Sequence, residues 1–203
     1  MNRKRGVMKK TLIVFVLAYV AAVTFAVHAQ QASADGPRYT NGNQLVRPSN
    51  YREWIFLGAG LDMTYNEPNQ ATAAAPDRHR FTNVFVNPSS YRRFLDTGVW
   101  PDGTAFVLEI RNASSAESIN KAGQFQAGLA GMEVEVKDSR FPNGWAFFAL
   151  SGNAAAAEPL SGDRVARCVE CHTQHGAVEQ TFVQFYPTLL EVARQKKTVR
   201  PDF

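Results

Sequence analysis

Side chains alternate with a two-residue period from Thr104 to Arg111: Phe106, Leu108 and Ile110 fall on one side, Val107, Glu109 and Arg111 on the other. That is the pattern of a strand with two distinct faces. A comparable run over residues 132–137 sets Val134 and Val136 against Glu133, Glu135 and Lys137, after a further strand near 123–129. Shorter strands are expected at Phe81–Asn87, Trp145–Leu150 and Thr181–Phe185. Helical signals stand between them. Asn87-Pro88 opens a helix in which Tyr91, Phe94 and Leu95 share a face and which Gly98 closes, and Pro187 starts a C-terminal helix. Residues 163–175 read as another, with Asp163 placed to cap it and Gly176 to end it. Tyr51–Gly58 is the first apolar element, with a helix entry at Pro48-Ser49-Asn50, while residues 62–80 and 112–122 read as loops. There are no internal repeats, and the elements sum to one α+β domain, an antiparallel sheet with several helices.

The N-terminus changes how the charge is read. Arg3, Lys4, Arg5, Lys9 and Lys10 precede an uncharged run from Thr11 to Val27, and small residues follow that offer cleavage after Ala29 or Ala34. This is the layout of a secretory signal over residues 1–29, which makes the protein exported and periplasmic. A retained anchor helix is the alternative, since 17 uncharged residues sit at the short end of what spans a bilayer. Residues 30–50, rich in Gly, Asn, Pro and Ser, read as a flexible leader, and residues 51–203 as the folded domain. Of the 203 residues, 45% are hydrophobic and 20% charged, an ordinary globular balance. The formal charge of +4 comes from the signal; beyond it, 17 basic residues face 18 acidic ones, and nothing calls for a nucleic-acid partner.

The chemistry concentrates at the only two cysteines, Cys168 and Cys171, followed by His172. A disulfide between them would close almost no loop and stabilise little. A zinc site would need two more ligands, and beyond the signal only His79 and His175 are left to supply imidazole. Cys-x-x-Cys-His is also the signature of covalent c-type haem attachment. Two thiols add to the haem vinyl groups, and the neighbouring imidazole reaches the iron from the same face. On a helix, positions 168, 171 and 172 share one surface. Cys168 and Cys171 are therefore the candidate haem attachment points and His172 the candidate iron ligand. His175 is placed to cap the helix end rather than to bind iron.

Six blocks of sequence resemble the cytochrome P-460 family: Tyr51-Arg52-Glu53-Trp54, Val84-Phe85-Val86-Asn87-Pro88-x-x-Tyr91, Thr97-Gly98-x-x-Pro101-Asp102-Gly103-Thr104, Gly144-Trp145-Ala146-Phe147-Phe148, Cys168–His172, and Phe182-x-Gln184-x-Tyr186-Pro187. They come in the family's order, from about Tyr51 to Leu190. The resemblance implies a sheet-rich domain, usually a homodimer, with one c-type haem held by a single histidine and an open distal face. It covers two kinds of protein. Cytochromes P-460 oxidise hydroxylamine and carry a lysine cross-linked to the haem ring. Cytochromes c′-β lack the cross-link and bind small gases such as nitric oxide. The cross-linking lysine stands in a Val-Lys-Glu-Leu-like segment, which here reads Val107-Leu108-Glu109-Ile110. The departure favours the c′-β type.

On this reading Phe106 and Leu108, with Ile110, form an apolar distal wall that admits nitric oxide or carbon monoxide. Plain hydrophobic core is the alternative for such a strand face. Phe56 and Phe85 are further candidates for distal aromatics. Glu133 resembles a position where the family places a proton-accepting carboxylate, which makes it the candidate catalytic residue; a solvated strand residue is the alternative. Two other functions stay open: an enzyme oxidising hydroxylamine or nitric oxide without the cross-link, and a six-coordinate carrier serving an electron-transfer partner. For the carrier, the methionines beyond the signal are Met63, in a loop, and Met132, on a strand.

Overall fold

A computed structural model describes residues 35–63, 79–115 and 117–203. The export segment with its cleavage positions lies outside these residues, and so does most of the loop expected at 62–80. The chain divides into two units, Met1–Asp35 and Gly36–Phe203. The second unit is α+β, as expected.

Five strands form an antiparallel meander in chain order: β3 (Ile55–Leu61), β4 (Arg80–Val86), β5 (Thr104–Ser114), β6 (Phe125–Lys137) and β7 (Trp145–Ala149). A smaller antiparallel sheet joins β1 (Tyr39–Thr40), β2 (Gln44–Val46) and β8 (Ala156–Ala157). Three helices complete the unit: α1 (Pro88–Thr97), α2 (Gly162–His175) and α3 (Pro187–Lys196). Gly98 ends α1 in the left-handed region at φ +75°, with its N–H on the Phe94 carbonyl.

The period-two pattern decides the layers. Ala105 and Val107 on β5, Met132, Val134 and Val136 on β6 and Phe148 on β7 turn to one face of the large sheet. There they pack with Leu45, Tyr51, Trp54 and Phe141 into a dry core. The opposite face carries Phe106, which joins Phe94, Trp100, Val178, Val183 and Leu189 at one end. Trp100 stands edge-on to Phe106, 4.7 Å between ring centres, and lies 4.1 Å from the ring of Phe94. Beyond that cluster this face is not filled.

The structure differs from several expectations. Residues 123–129 and 132–137 are parts of one strand, because pairing with β5 carries β6 through the Gly128–Gly131 stretch. Tyr51–Gly58 is a single 3₁₀ turn, Tyr51–Glu53, running into β3. Thr181–Phe185 is not a strand: Val178 and Thr181 bond each other across a tight turn, and a 3₁₀ turn takes Val183–Phe185. Ser161 precedes α2, so Asp163 lies in its first turn instead of capping it. Within 30–50, two strands form and Leu45 is fully buried, which makes residues 36–50 part of the folded unit rather than a leader.

Candidate functional site

The unfilled part of the sheet face is a cavity of about 470 Å³, inside the range of small-molecule sites. Its floor is β4 and β5: Thr82 and Val84 beside Phe106, Leu108 and Ile110. Glu133 and Glu135 on β6 extend it, Gly58 and Gly60 on β3 leave it open on the other side, and α2 closes it with Cys168 and His172. Leu108 sits in register between Val84 and Glu133, half-buried.

On α2, residues 168, 171 and 172 take the helical spacing that brings them to one surface. Both cysteines are free thiols. Burial pushes the Cys168 thiol up, and the carboxylates of Glu133 and Glu135 push it further. Cys171 is raised by burial and then by Glu170. A redox dithiol works through a lowered thiol pKa, so this environment argues against that use. Among the described residues, no group of three or more His, Cys, Asp or Glu is arranged to hold a metal ion, which leaves a zinc site without its ligands.

His172 is oriented by several contacts. Its Nδ1–H donates to the backbone carbonyl of Gln180 at 2.8 Å. Its ring is clasped by Phe147, 4.8 Å away edge-on, and Phe182, 4.5 Å away. With Nδ1 donating to a carbonyl, Nε2 is the ring nitrogen left for a metal bond. Glu135 Oε1 lies 3.2 Å from the same Nδ1 and has no hydrogen-bond partner of its own, so it acts on His172 as a nearby charge. Burial pushes His172 down, but Glu135 and the Gln180 carbonyl outweigh it and the net shift is upward. Burial in turn pushes Glu135 up against the opposing effect of His172.

The Gln180 carbonyl reaches His172 because the chain after α2 doubles back tightly. A Cβ on Gly176 would meet the His172 carbonyl oxygen at 2.7 Å and the backbone of Gln180 and Thr181 at 2.9 Å. Trp100 Nε1–H donates to Thr181 Oγ1 at 2.9 Å, and Lys137 pairs with Glu179, which ties this segment to the sheet. Gln184 Nε2 donates to the His175 carbonyl at 2.7 Å, and Arg200 donates to the carbonyls of Thr173 and Gly176, which together satisfy the helix end. Gly176→Ala is expected to push the segment away, cost about 1–3 kcal/mol, and remove the Nδ1–H bond. Thermal unfolding and the NMR signal of the His172 ring N–H check both; an unchanged ring signal would contradict this role for Gly176.

Of the residues singled out from sequence, Cys168, His172, Phe106, Leu108 and Glu133 line one cavity. Cys171 is half-buried one turn along and does not line it. Phe56 and Phe85 are elsewhere: Phe56 is 53% exposed, and Phe85 packs in the core on the far face, because residues 83 and 85 point away from residues 82 and 84. His175 is exposed. Met132 is buried in that same far core, whereas Met63, expected in a loop, lines the cavity. Sequence reasoning missed Glu135, Phe147, Phe182 and Arg80. Glu135 was legible in principle, since it alternates in step with Glu133. No signal marked Gln180, whose contribution is a backbone carbonyl.

A family model described as Cytochrome P460 matches residues 48–183. No curated protein matches the chain.

Proposed function

Because the chain belongs to the cytochrome P460 family, and that membership implies a haem cofactor, we propose an exported mono-haem c-type cytochrome that binds nitric oxide or a similar small ligand at five-coordinate iron. The observation that carries the reading is His172. In the wall of the cavity, its Nδ1–H is held by a carbonyl and its Nε2 is free to bind iron. The donor set fits the group. Cys168 and Cys171 would hold it through thioether bonds, His172 would be the proximal ligand, and the cavity is apolar where Val84, Phe106, Leu108 and Ile110 meet.

A bound haem supplies an iron with an exchangeable coordination position and one-electron chemistry. The chain's own residues decide what reaches it. Leu108 stands in register where the family resemblance expects the cross-linking lysine, and no lysine lines the cavity among the described residues. The apolar stretch of Val84, Phe106, Leu108 and Ile110 itself offers no hydrogen-bond donor, which favours a neutral diatomic over hydroxylamine. Glu135, beside the same ring nitrogen, shifts His172 upward and so makes it a more basic ligand. Glu133 is exposed at the cavity edge and is placed to exchange protons with solvent.

Hydroxylamine oxidation without a cross-link is the rival on the enzyme side, tested by turnover with an added electron acceptor. Leu108→Lys tests the wall directly. It is expected to lower carbon monoxide affinity by about tenfold or more, as a charge enters an apolar site, and to alter haem absorption if the amine reaches the ring. An unchanged spectrum with unchanged affinity would mean that Leu108 does not face the haem.

Export and assembly belong to the same proposal. The charged start, apolar run and small-residue exit of residues 1–34 support periplasmic delivery, checked by N-terminal sequencing of the mature protein. No described helix is long and apolar enough to cross a membrane. A homodimer rests on the resemblance, and sedimentation velocity tests it; an electron-transfer partner belongs to the rival carrier reading.

A further inference from the structure

The wall is not apolar throughout. Arg80, the first residue of β4, lines the same cavity, and its Nη1 is buried without a hydrogen-bond partner among the described residues. The carboxylate that the structure sets beside this end of β4 is already engaged: Asp62 accepts from the Arg80 backbone N–H at 2.9 Å and pairs with His79 Nδ1 at 2.5 Å. A buried guanidinium nitrogen left unpaired is costly unless an acceptor answers it.

The register places this cation along the sheet. Val84 pairs with Leu108, while Arg80 pairs with Asn112, four residues further along the strand. At roughly 3.4 Å per residue, the Arg80 backbone stands about 14 Å from the Leu108 pair. Glu135, which touches His172, pairs with Phe106 on the other side of Leu108. The histidine and the arginine therefore mark opposite ends of the cavity.

We propose that Arg80 forms an anion subsite at the rim of the cavity and binds a carboxylate or an oxyanion of similar size. It rests on the haem reading above. The separation from His172 assigns the site to a carboxylate at the edge of the haem, one of its propionates, ahead of a free anion near the iron. The planar guanidinium suits either source, since two parallel N–H bonds match two oxygens.

The test uses the haem-loaded protein, with Arg80→Gln and the charge-conserving Arg80→Lys. A pyridine haemochrome spectrum first reports whether haem is attached; its absence in the wild type would overturn the haem reading and the propionate assignment with it, and the free-anion titrations alone would then decide the subsite. With a propionate on Arg80, R80Q is expected to shift the propionate bending bands in resonance Raman spectra and to lower the midpoint potential. R80K should restore most of the potential, and formate and nitrite titrations should not change. With a free anion, R80Q instead loses about tenfold or more in nitrite or formate affinity while carbon monoxide affinity holds. If R80Q folds and neither set of readouts moves, the subsite does not exist. If R80Q does not fold, R80K decides, since losing the bidentate geometry should still move the propionate bands or weaken anion binding, and a wild-type response in both overturns the proposal.

Discussion

Replacing Cys168 and Cys171 together by Ser is expected to abolish covalent haem. Wild-type protein should keep its haem through acid–acetone extraction and carry the mass of one porphyrin. The double variant should release any haem it holds and run at the mass of the bare chain. Each single variant should keep one thioether and show a haemochrome band displaced from that of the wild type. The reason is geometric: the two thiols share a helix face with His172, and Cys168 lines the cavity with it. If the double variant retained haem after extraction, attachment would lie elsewhere.

The second large effect comes from the face of the sheet turned away from the cavity. Glu109 is fully buried, directly after Leu108 on β5. It accepts from Arg111 Nε at 2.7 Å, from Asn83 at 3.0 Å, from Arg52 at 3.1 Å and from the Tyr51 hydroxyl. Burial alone would push its carboxyl up; the bonds from Arg111, Tyr51 and Asn83 outweigh this and hold it at about 2. Glu109→Ala strands those donors and is expected to cost about 3–5 kcal/mol, a large part of a total near 5–15 kcal/mol. The pH dependence has a definite sign. The folded value lies below the unfolded one of roughly 4.3, so the contribution is complete above that pH and is lost as pH falls towards about 2. In Glu109→Gln this acid-dependent loss should flatten. Urea unfolding at several pH values measures both, and an unaltered acid limb in the glutamine variant would contradict this role for Glu109.

The parts legible in sequence were those with a strict local period. Alternation on β5 separated Phe106, Leu108 and Ile110 from Val107 and Glu109, and the structure keeps that division. Cys-x-x-Cys-His spacing put Cys168, Cys171 and His172 on one helix surface because a helix fixes which residues share a side, and the structure has that helix. The parts that were not legible depend on contacts distant along the chain. Glu135 is set apart from Glu133 only by the arrival of His172 across the cavity. The Gln180 carbonyl acts because Gly176 allows a close return of the backbone. Arg80 reaches the cavity because β4 pairs with β5 in one register. Phe85 was misplaced for a related reason: one residue of shift along a strand exchanges the two faces. The strand expected at Thr181–Phe185 failed because no neighbouring strand supplies hydrogen bonds there, and side chains such as Thr181 bond locally instead.

The most direct measurement is absorption spectroscopy of the purified mature protein, ferric and ferrous, with and without carbon monoxide and nitric oxide. A high-spin c-type spectrum that shifts when either gas is added is the expected result, since the proposed function gives the iron His172 as its one protein ligand and the cavity is apolar where Val84, Phe106, Leu108 and Ile110 meet. A low-spin spectrum indifferent to both gases would contradict five-coordinate iron and point to a sixth ligand, for which Met63, packed against Gly60 in the cavity lining, is the residue in place.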